Sequence, residues 1–396
     1  MKRLLLATAA SALVGTMAFA DGHAVKVGVI LGFTGPIESL TPNMAASAEL
    51  AMTEVSESGL FLDGKVIEPV RADSTCIDAA AATAAAERLI SSDGVVAIMG
   101  ADCSGVTTAV ANNVAVPNGV VMVSPSATSP ALTSIDDNDL FFRTAPSDAR
   151  QGEVLAATLI DNGIEEVAVT YTNNDYGKGL SDSFISNFEA NGGTVTINTA
   201  HEDGKGDYSA EVGALAAAGG EVLVVLGYAD QGGVGVIQSA LDSGAFDTFA
   251  LGDGMYADSL LETLGSGLNG TMGTVPWSQG EGADAFDQVV AAAGVDGSTS
   301  FTRESYDAAA LIALAMQAGG EATKEAVAAN LLDVANAPGE PILPGELAKA
   351  LEILANGGDV DYVGATNVEL IGPGEAAGTY REYVVKDGEY ETVRFR

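Results

Sequence analysis

Short runs of β-branched and aliphatic residues alternate with alanine-rich stretches of helical spacing, and the alternation runs through once and then starts again. Residues 25–31, 65–71, 95–100 and 120–124 read as strands. Residues 43–56, 78–91 and 104–113 read as the helices between them, with Asp78 placed to cap the second. Strands this short and this continuously apolar, set between helices, form a parallel sheet covered on both faces. The pattern then restarts, with helices at 151–162, 179–191, 208–218 and 232–243 and strands at 167–171, 194–199, 222–226 and 248–251. A second βα set of like size implies a second parallel sheet rather than one very wide one. The joins fall near Arg143-Thr144-Ala145-Pro146 and Gly273-Thr274-Val275-Pro276. Helices follow at 283–293, 302–318 and 323–336, and the tail reads as a hairpin of 380–385 and 390–395 turning at Lys386-Asp387-Gly388.

In open α/β sheets a ligand binds beyond the carboxyl ends of the strands, so the residues that follow each strand are the informative ones. Ala101-Asp102-Cys103-Ser104-Gly105 follows one strand and Pro125-Ser126-Ala127-Thr128 the next. In the second set come Thr172-Asn173-Asn174-Asp175-Tyr176-Gly177, then Tyr228, then Gly252-Asp253-Gly254. Each has an ordinary role open to it. Ser104 and Thr128 suit helix caps. Tyr176 and Tyr228 suit a core, and Asp253 a solvated loop. The same set also suits a zwitterion, with hydroxyls and a helix start for a carboxylate and an acid for an ammonium.

Other chemistries find little support. The net charge of −37 repels phosphates and anionic membrane surfaces, so neither nucleic acid nor stable membrane insertion is expected. At 47% hydrophobic residues the chain can bury a core, which excludes an acidic disordered tail. With His23 and His201 as the only histidines, a Ser hydrolase lacks a base, and no G-x-S-x-G elbow occurs. Metal-ligand spacings and a phosphate-binding G-x-x-x-x-G-K-[ST] loop are also absent. Gly252-x-Gly254-x-x-Ala257 matches a loose dinucleotide pattern, but too late in the chain to open the first βα turn. No catalytic residue, metal ligand or cofactor is therefore assigned.

Lys2 and Arg3 precede the apolar run 4–14, and a small-residue stretch ends Ala18-Phe19-Ala20. This is the layout of a secretory signal peptide, too short for the ~20 residues of a membrane span. The expectation is an exported chain that begins at Asp21 in the periplasm of a Gram-negative bacterium. The acidity suits a marine or salt-tolerant habitat, where salt screens self-repulsion. In an oxidising compartment Cys76 and Cys103, each following a strand, are expected as a disulfide, with free thiols or a nucleophilic Cys103 as alternatives. Such a bridge would contribute about 3–4 kcal/mol on the chain-entropy account.

At these residues the chain resembles the leucine/isoleucine/valine-binding proteins of ABC transporters, within the type I periplasmic binding protein fold. The matching stretches are Val27-Gly28-Val29 through Thr34-Gly35-Pro36, then Cys76, Cys103-Ser104 and Ser124-Pro125-Ser126-Ala127-Thr128-Ser129-Pro130-Ala131-Leu132-Thr133. They continue through Arg143-Thr144 and Tyr176-Gly177-Lys178-Gly179. The resemblance implies two Rossmann-like lobes, hinge-linked, that close on a small amino acid. Residues 21–144 and 276–378 would form the N-terminal lobe, and 145–275 and 379–396 the C-terminal lobe. It implies that Ser104, Ser126 and Thr128 take the α-carboxylate, that Thr128 with Asp253 takes the α-ammonium, and that Ala127 belongs to the same ligand-binding set. Tyr176 and Tyr228 would close over the ligand, and Cys76 would pair with Cys103. Asp253 stands where the family commonly has Glu, one methylene longer. Leu40 stands near a position that is often aromatic, with Glu38 beside it, and both are assigned to the side-chain pocket. The implied protein is a monomeric solute-binding partner of an inner-membrane ABC permease, not an enzyme. A ligand sensor and a secreted α/β enzyme are the alternatives.

Overall fold

The computed structural model describes residues 23–396, so the expected leader lies outside the described residues. Its core is two seven-stranded sheets. In the first, β1 (Ala24–Leu31), β2 (Val66–Asp73), β3 (Ala97–Gly100), β4 (Val121–Ser124) and β5 (Phe141–Pro146) lie parallel in the order β2-β1-β3-β4-β5. In the second, β6 (Glu166–Thr172), β7 (Thr194–His201), β8 (Val222–Leu226), β9 (Phe249–Leu251) and β10 (Met272–Pro276) repeat the pattern as β7-β6-β8-β9-β10. This is the doubly wound α/β architecture expected from the alternation. Residues Val27, Val29, Ile30 and Leu31 of β1 and all five residues of β8 are fully buried, as strands covered on both faces must be.

The chain then returns to both sheets. β11 (Glu340–Ile342) and β12 (Val360–Tyr362) make a small parallel pair of their own. β13 (Leu370–Ile371) and β14 (Glu375–Ala376) extend the first sheet beyond β5. β15 (Tyr380–Lys386) and β16 (Glu389–Phe395) form the expected hairpin, which pairs antiparallel with β10 of the second sheet. The helix Thr302–Gly319 is buried along its length from Thr302 to Gln317. It lies against the helix Thr41–Glu57 and against β3, β4 and β5, so it belongs to the first lobe. A helix apolar on nearly every face can only be stable when enclosed in this way.

Two segments differ from their sequence-based description. Arg143–Pro146, expected as a join, is the end of β5, and every residue of that strand is buried. The Arg143 guanidinium is an interior fastener: Nη1 donates to the carbonyls of Ala127 and Ser129 at 3.1 and 2.9 Å. The crossing follows immediately, at Ser147, whose hydroxyl caps the helix Asp148–Asp161 of the second lobe. Gly273–Pro276 likewise lies in β10, and the chain leaves that sheet beyond Pro276. Both stretches carry a proline and short side chains, which imitate a linker in sequence. Asp78 caps as expected, accepting from the N–H groups of Ala80 and Ala81.

In each sheet the strand order reverses beside the first strand of its set, between β1 and β3 and between β6 and β8. Such switch points leave a crevice beyond the strand ends where loops diverge. The two crevices face each other.

Candidate functional site

Loops from both switch points converge on one cavity. Ile37 and Leu40 come from the segment after β1, Asp102, Cys103 and Ser104 from the end of β3, and Ser126 from the end of β4. Opposite them lie Tyr176 after β6, Tyr228 after β8 and Asp253 and Gly254 after β9, with Phe301 completing the wall. Leu40 also faces an adjoining, roomier chamber, lined among others by Tyr256, Trp277, Thr299 and Arg381.

The first lobe's side is organised by Asp102. Its buried carboxylate accepts from the Gly32 N–H at 2.5 Å, the Ser74 hydroxyl at 2.9 Å and the Cys103 N–H at 2.9 Å. It thereby ties the loops after β1, β2 and β3 together. Burial pushes its pKa up, while those three donors pull it back. The Cys76–Cys103 disulfide fastens the same loops covalently, with the two Cα atoms 5.1 Å apart. Ser104 starts the helix Ser104–Val110, and its hydroxyl accepts from the Ser129 N–H at 3.1 Å, which leaves its proton to donate. The Ser126 hydroxyl reaches the Asp102 carbonyl at 3.1 Å.

On the second lobe Tyr176 and Tyr228 stack with ring centroids 5.2 Å apart. The Tyr176 hydroxyl donates to Asp253 Oδ1 at 2.6 Å and accepts from the Gly254 N–H at 3.1 Å. The Tyr228 hydroxyl accepts from the Asn174 amide at 3.3 Å. Asp253 can sit this tightly because glycines flank it. A Cβ on Gly254 would fall 2.6 Å from the Gly227 carbonyl oxygen, and one on Gly252 would fall 2.9 Å from Leu180. Burial raises the Asp253 pKa to about 6, against the hydrogen bonds from Tyr176 and Gly254.

The expected site residues divide. Ser104, Ser126, Tyr176, Tyr228, Asp253 and Leu40 line the cavity together. Ala127 and Thr128 lie behind it. The Ala127 N–H goes to the Ser124 hydroxyl at 3.0 Å and its carbonyl to Arg143. The Thr128 carbonyl accepts from the Asp148 N–H at 2.8 Å, and its side chain is fully buried. Glu38 is a correction: it is exposed and off the lining. The turn before the helix Thr41–Glu57 bonds the Leu40 N–H to the Ile37 carbonyl, and Ile37 and Leu40 are the residues of this turn that face inward. Ile37, Asp102 and Phe301 are lining residues that the sequence did not single out. Phe301 holds a left-handed backbone, φ +63°, a strained state for a bulky residue and one typical of functional sites.

Across the mouth the lobes are bonded directly. Asp230 accepts from the Ser39 N–H at 2.8 Å and donates its own N–H to the Pro36 carbonyl at 3.1 Å, while the Ser259 hydroxyl of its own lobe holds the carboxylate at 2.6 Å. The Ser129 hydroxyl donates to the Asp175 carbonyl at 3.1 Å.

Known proteins carry the same architecture. A family model described as periplasmic binding protein matches residues 24–346. The Leu/Ile/Val-binding protein BraC3 of Rhizobium johnstonii is 30% identical over 338 residues, covering 83% of this chain and 90% of its own length. A chemotactic signal transduction system substrate-binding protein of Halobacterium salinarum, BasB, is 27% identical over 391 residues, 94% of this chain and 89% of its own. The branched-chain amino acid transporter substrate binding protein LivJ of Streptococcus pneumoniae, solved in complex with isoleucine, superposes with a TM-score of 0.75 at 22% identity, over 93% of this chain and 99% of that one.

Proposed function

Because the chain belongs to the periplasmic binding protein family, we propose that its cleft reversibly binds a small amino acid or amino-acid-like solute for delivery to an inner-membrane ABC permease. The observation that carries this is the division of the cavity. Hydroxyls stand on one lobe, Ser104 with its proton free and Ser126 with its proton on the Asp102 carbonyl, and a tyrosine-held carboxylate, Asp253, stands on the other. A zwitterion bridging them satisfies both sides only when the lobes are closed, so binding energy and closure are the same event. The α-carboxylate then meets Ser104, and Ser126 once its hydroxyl turns from the Asp102 carbonyl, and the ammonium meets Asp253 under the stacked tyrosines. The apolar wall of Ile37, Leu40 and Phe301 receives the side chain, which has the adjoining chamber to extend into past Leu40. No bond needs to be made or broken. Affinity comes from burying a charged pair among fixed dipoles with water excluded.

Export by a cleaved leader ending at Ala20, a Gram-negative periplasm and a monomeric state are part of the same proposal. A screen of the purified chain 21–396 by thermal shift, against amino acids, carboxylates, amides and polyamines, tests it. A bound solute raises the melting point by mass action. The expected result is a shift with aliphatic amino acids and recovery of the solute unchanged. Turnover of the solute, or no shift with any amino acid, contradicts it. The similarity to the chemotactic binding protein of Halobacterium salinarum favours a second reading, a receptor-coupled sensor with the same site. A deletion strain that loses taxis toward the solute but keeps its uptake would select that reading.

A further inference from the structure

Behind Asp253 lies a group of buried oxygens short of partners. Both carboxylate oxygens of Asp148 lack a hydrogen-bond partner among the described residues, as do Gln151 Oε1 and the Thr128 hydroxyl. All three side chains are fully buried. They share one neighbourhood. Asp148 opens the helix Asp148–Asp161, and Gln151 lies one turn on with its amide nitrogen on the Thr274 carbonyl at 3.0 Å. The Thr128 hydroxyl is the one donor close enough to steady the Asp148 carboxyl, and the Gln151 amide does the same for Asp253, each pulling its acid's pKa down against burial. A buried unpaired carboxylate is among the costliest groups a protein can hold.

The groups packed around the two acids supply no free counter-charge. Tyr176, from the helix Asp175–Ala190, donates its hydroxyl hydrogen bond to Asp253 and keeps its proton. Tyr380 of β15 donates to the Ser147 carbonyl at 3.2 Å. β10 contributes no titratable side chain. Arg143 is the cation that acts on Asp148, but its guanidinium is committed to the carbonyls of Ala127 and Ser129, to Thr133 and to Glu375. Burial and the Asp253 charge both push the Asp148 pKa up, which is the response of an acid pair short of a cation.

We propose that Asp148 is a second specificity-determining acid of the head-group site, standing behind Asp253, and that the pair holds one proton in the empty cleft and exchanges it for the cationic nitrogen of the solute. The inference rests on the amino-acid reading, which places that nitrogen at Asp253. On binding, the proton passes to solvent and the ammonium takes over its neutralising role. A carboxylic acid of the same shape but without the nitrogen cannot do this, and the pair rejects it. Asp148 acts through Asp253 and is a positioning residue, so its signature is proton exchange rather than affinity alone.

Two measurements on the chain 21–396 decide the matter. The first is a titration of the empty protein by carboxyl-carbon NMR, wild type against Asp148→Asn. The pair is expected to keep one proton to pH 6 or above in the wild type, and Asp253 alone to titrate lower in Asp148→Asn. Ordinary titration of both carboxyls below pH 5 overturns the proposal without touching the amino-acid reading. The second is calorimetry at pH 6 with leucine and with 4-methylpentanoate, in two buffers of different ionisation heat. The wild type is expected to release most of a proton on binding leucine and to prefer it over 4-methylpentanoate. In Asp148→Asn that preference should fall by about tenfold or more. Leucine binding with no buffer dependence, or 4-methylpentanoate binding as tightly as leucine, overturns the proposal while the solute-binding reading stands. Absence of leucine binding, with the acid pair titrating normally, overturns both.

Discussion

Glu304 carries a carboxyl into the hinge. It lines a small cavity with Thr144, Pro146, Trp277, Ser278 and Thr379, where the chain crosses between lobes. Burial raises its pKa from 4.5 to about 8. An acid held more tightly to its proton in the folded state than in the unfolded state stabilises the fold only while protonated. Its contribution is therefore full below about pH 4.5 and lost as pH rises through about 8. The expected outcome is that Glu304→Gln raises the melting temperature at pH 8.5 and changes it little at pH 4.5, as read by calorimetric melts across that range. A mutant offset that does not grow with pH contradicts this. At this scale the sequence was uneven. Ser104, Tyr176, Tyr228 and Asp253 were legible because they follow strands, where a doubly wound sheet exposes its ligands. Asp102 stood in a stretch read as informative but was passed over beside Ser104, and Asp148 and Glu304 were not legible, because nothing in a sequence separates a buried acid from the many solvated ones in a chain with 54 of them.

The elements that bring the lobes together are loops rather than strands, and one of them acts as a clasp. Asp230 follows β8 and takes hydrogen bonds from Ser39 and Ser259 while donating to Pro36. Asp230→Ala removes the side-chain bond to Ser39 across the mouth and leaves the cavity lining intact. It is expected to weaken solute affinity by about 1–3 kcal/mol, mostly as faster release. Stopped-flow dissociation checks this, and an unchanged release rate would contradict a clasp. The βα alternation made both sheets legible, since apolar runs of strand length between helices admit few arrangements. β5 was harder to see because Arg143 and Pro146 read as punctuation, whereas the arginine is buried to cap loop carbonyls. The pair β11–β12 and the short β13 and β14 escaped notice because two- and three-residue strands carry no period. Glu38 was misplaced for a related reason: which residues of a turn face inward depends on geometry that composition does not encode.

For the molecule as a whole, charge and closure act against each other. A net charge of −37 spread over both lobes opposes bringing them together, and salt screens that repulsion over ~8 Å at ordinary ionic strength. Unfolding midpoints are expected to rise between low salt and ~0.5 M NaCl, and no gain would remove the case for a saline habitat. The central claim is that both lobes grip one solute, hydroxyls from the first and a carboxylate from the second. Calorimetric titration of the wild type, Ser104→Ala and Asp253→Ala with the amino acid that gives the largest thermal shift tests it most directly. The account predicts one solute per wild-type chain and a loss of about 1–3 kcal/mol in each variant, since each leaves a charged ligand group without its partner. Wild-type affinity in both variants would contradict it.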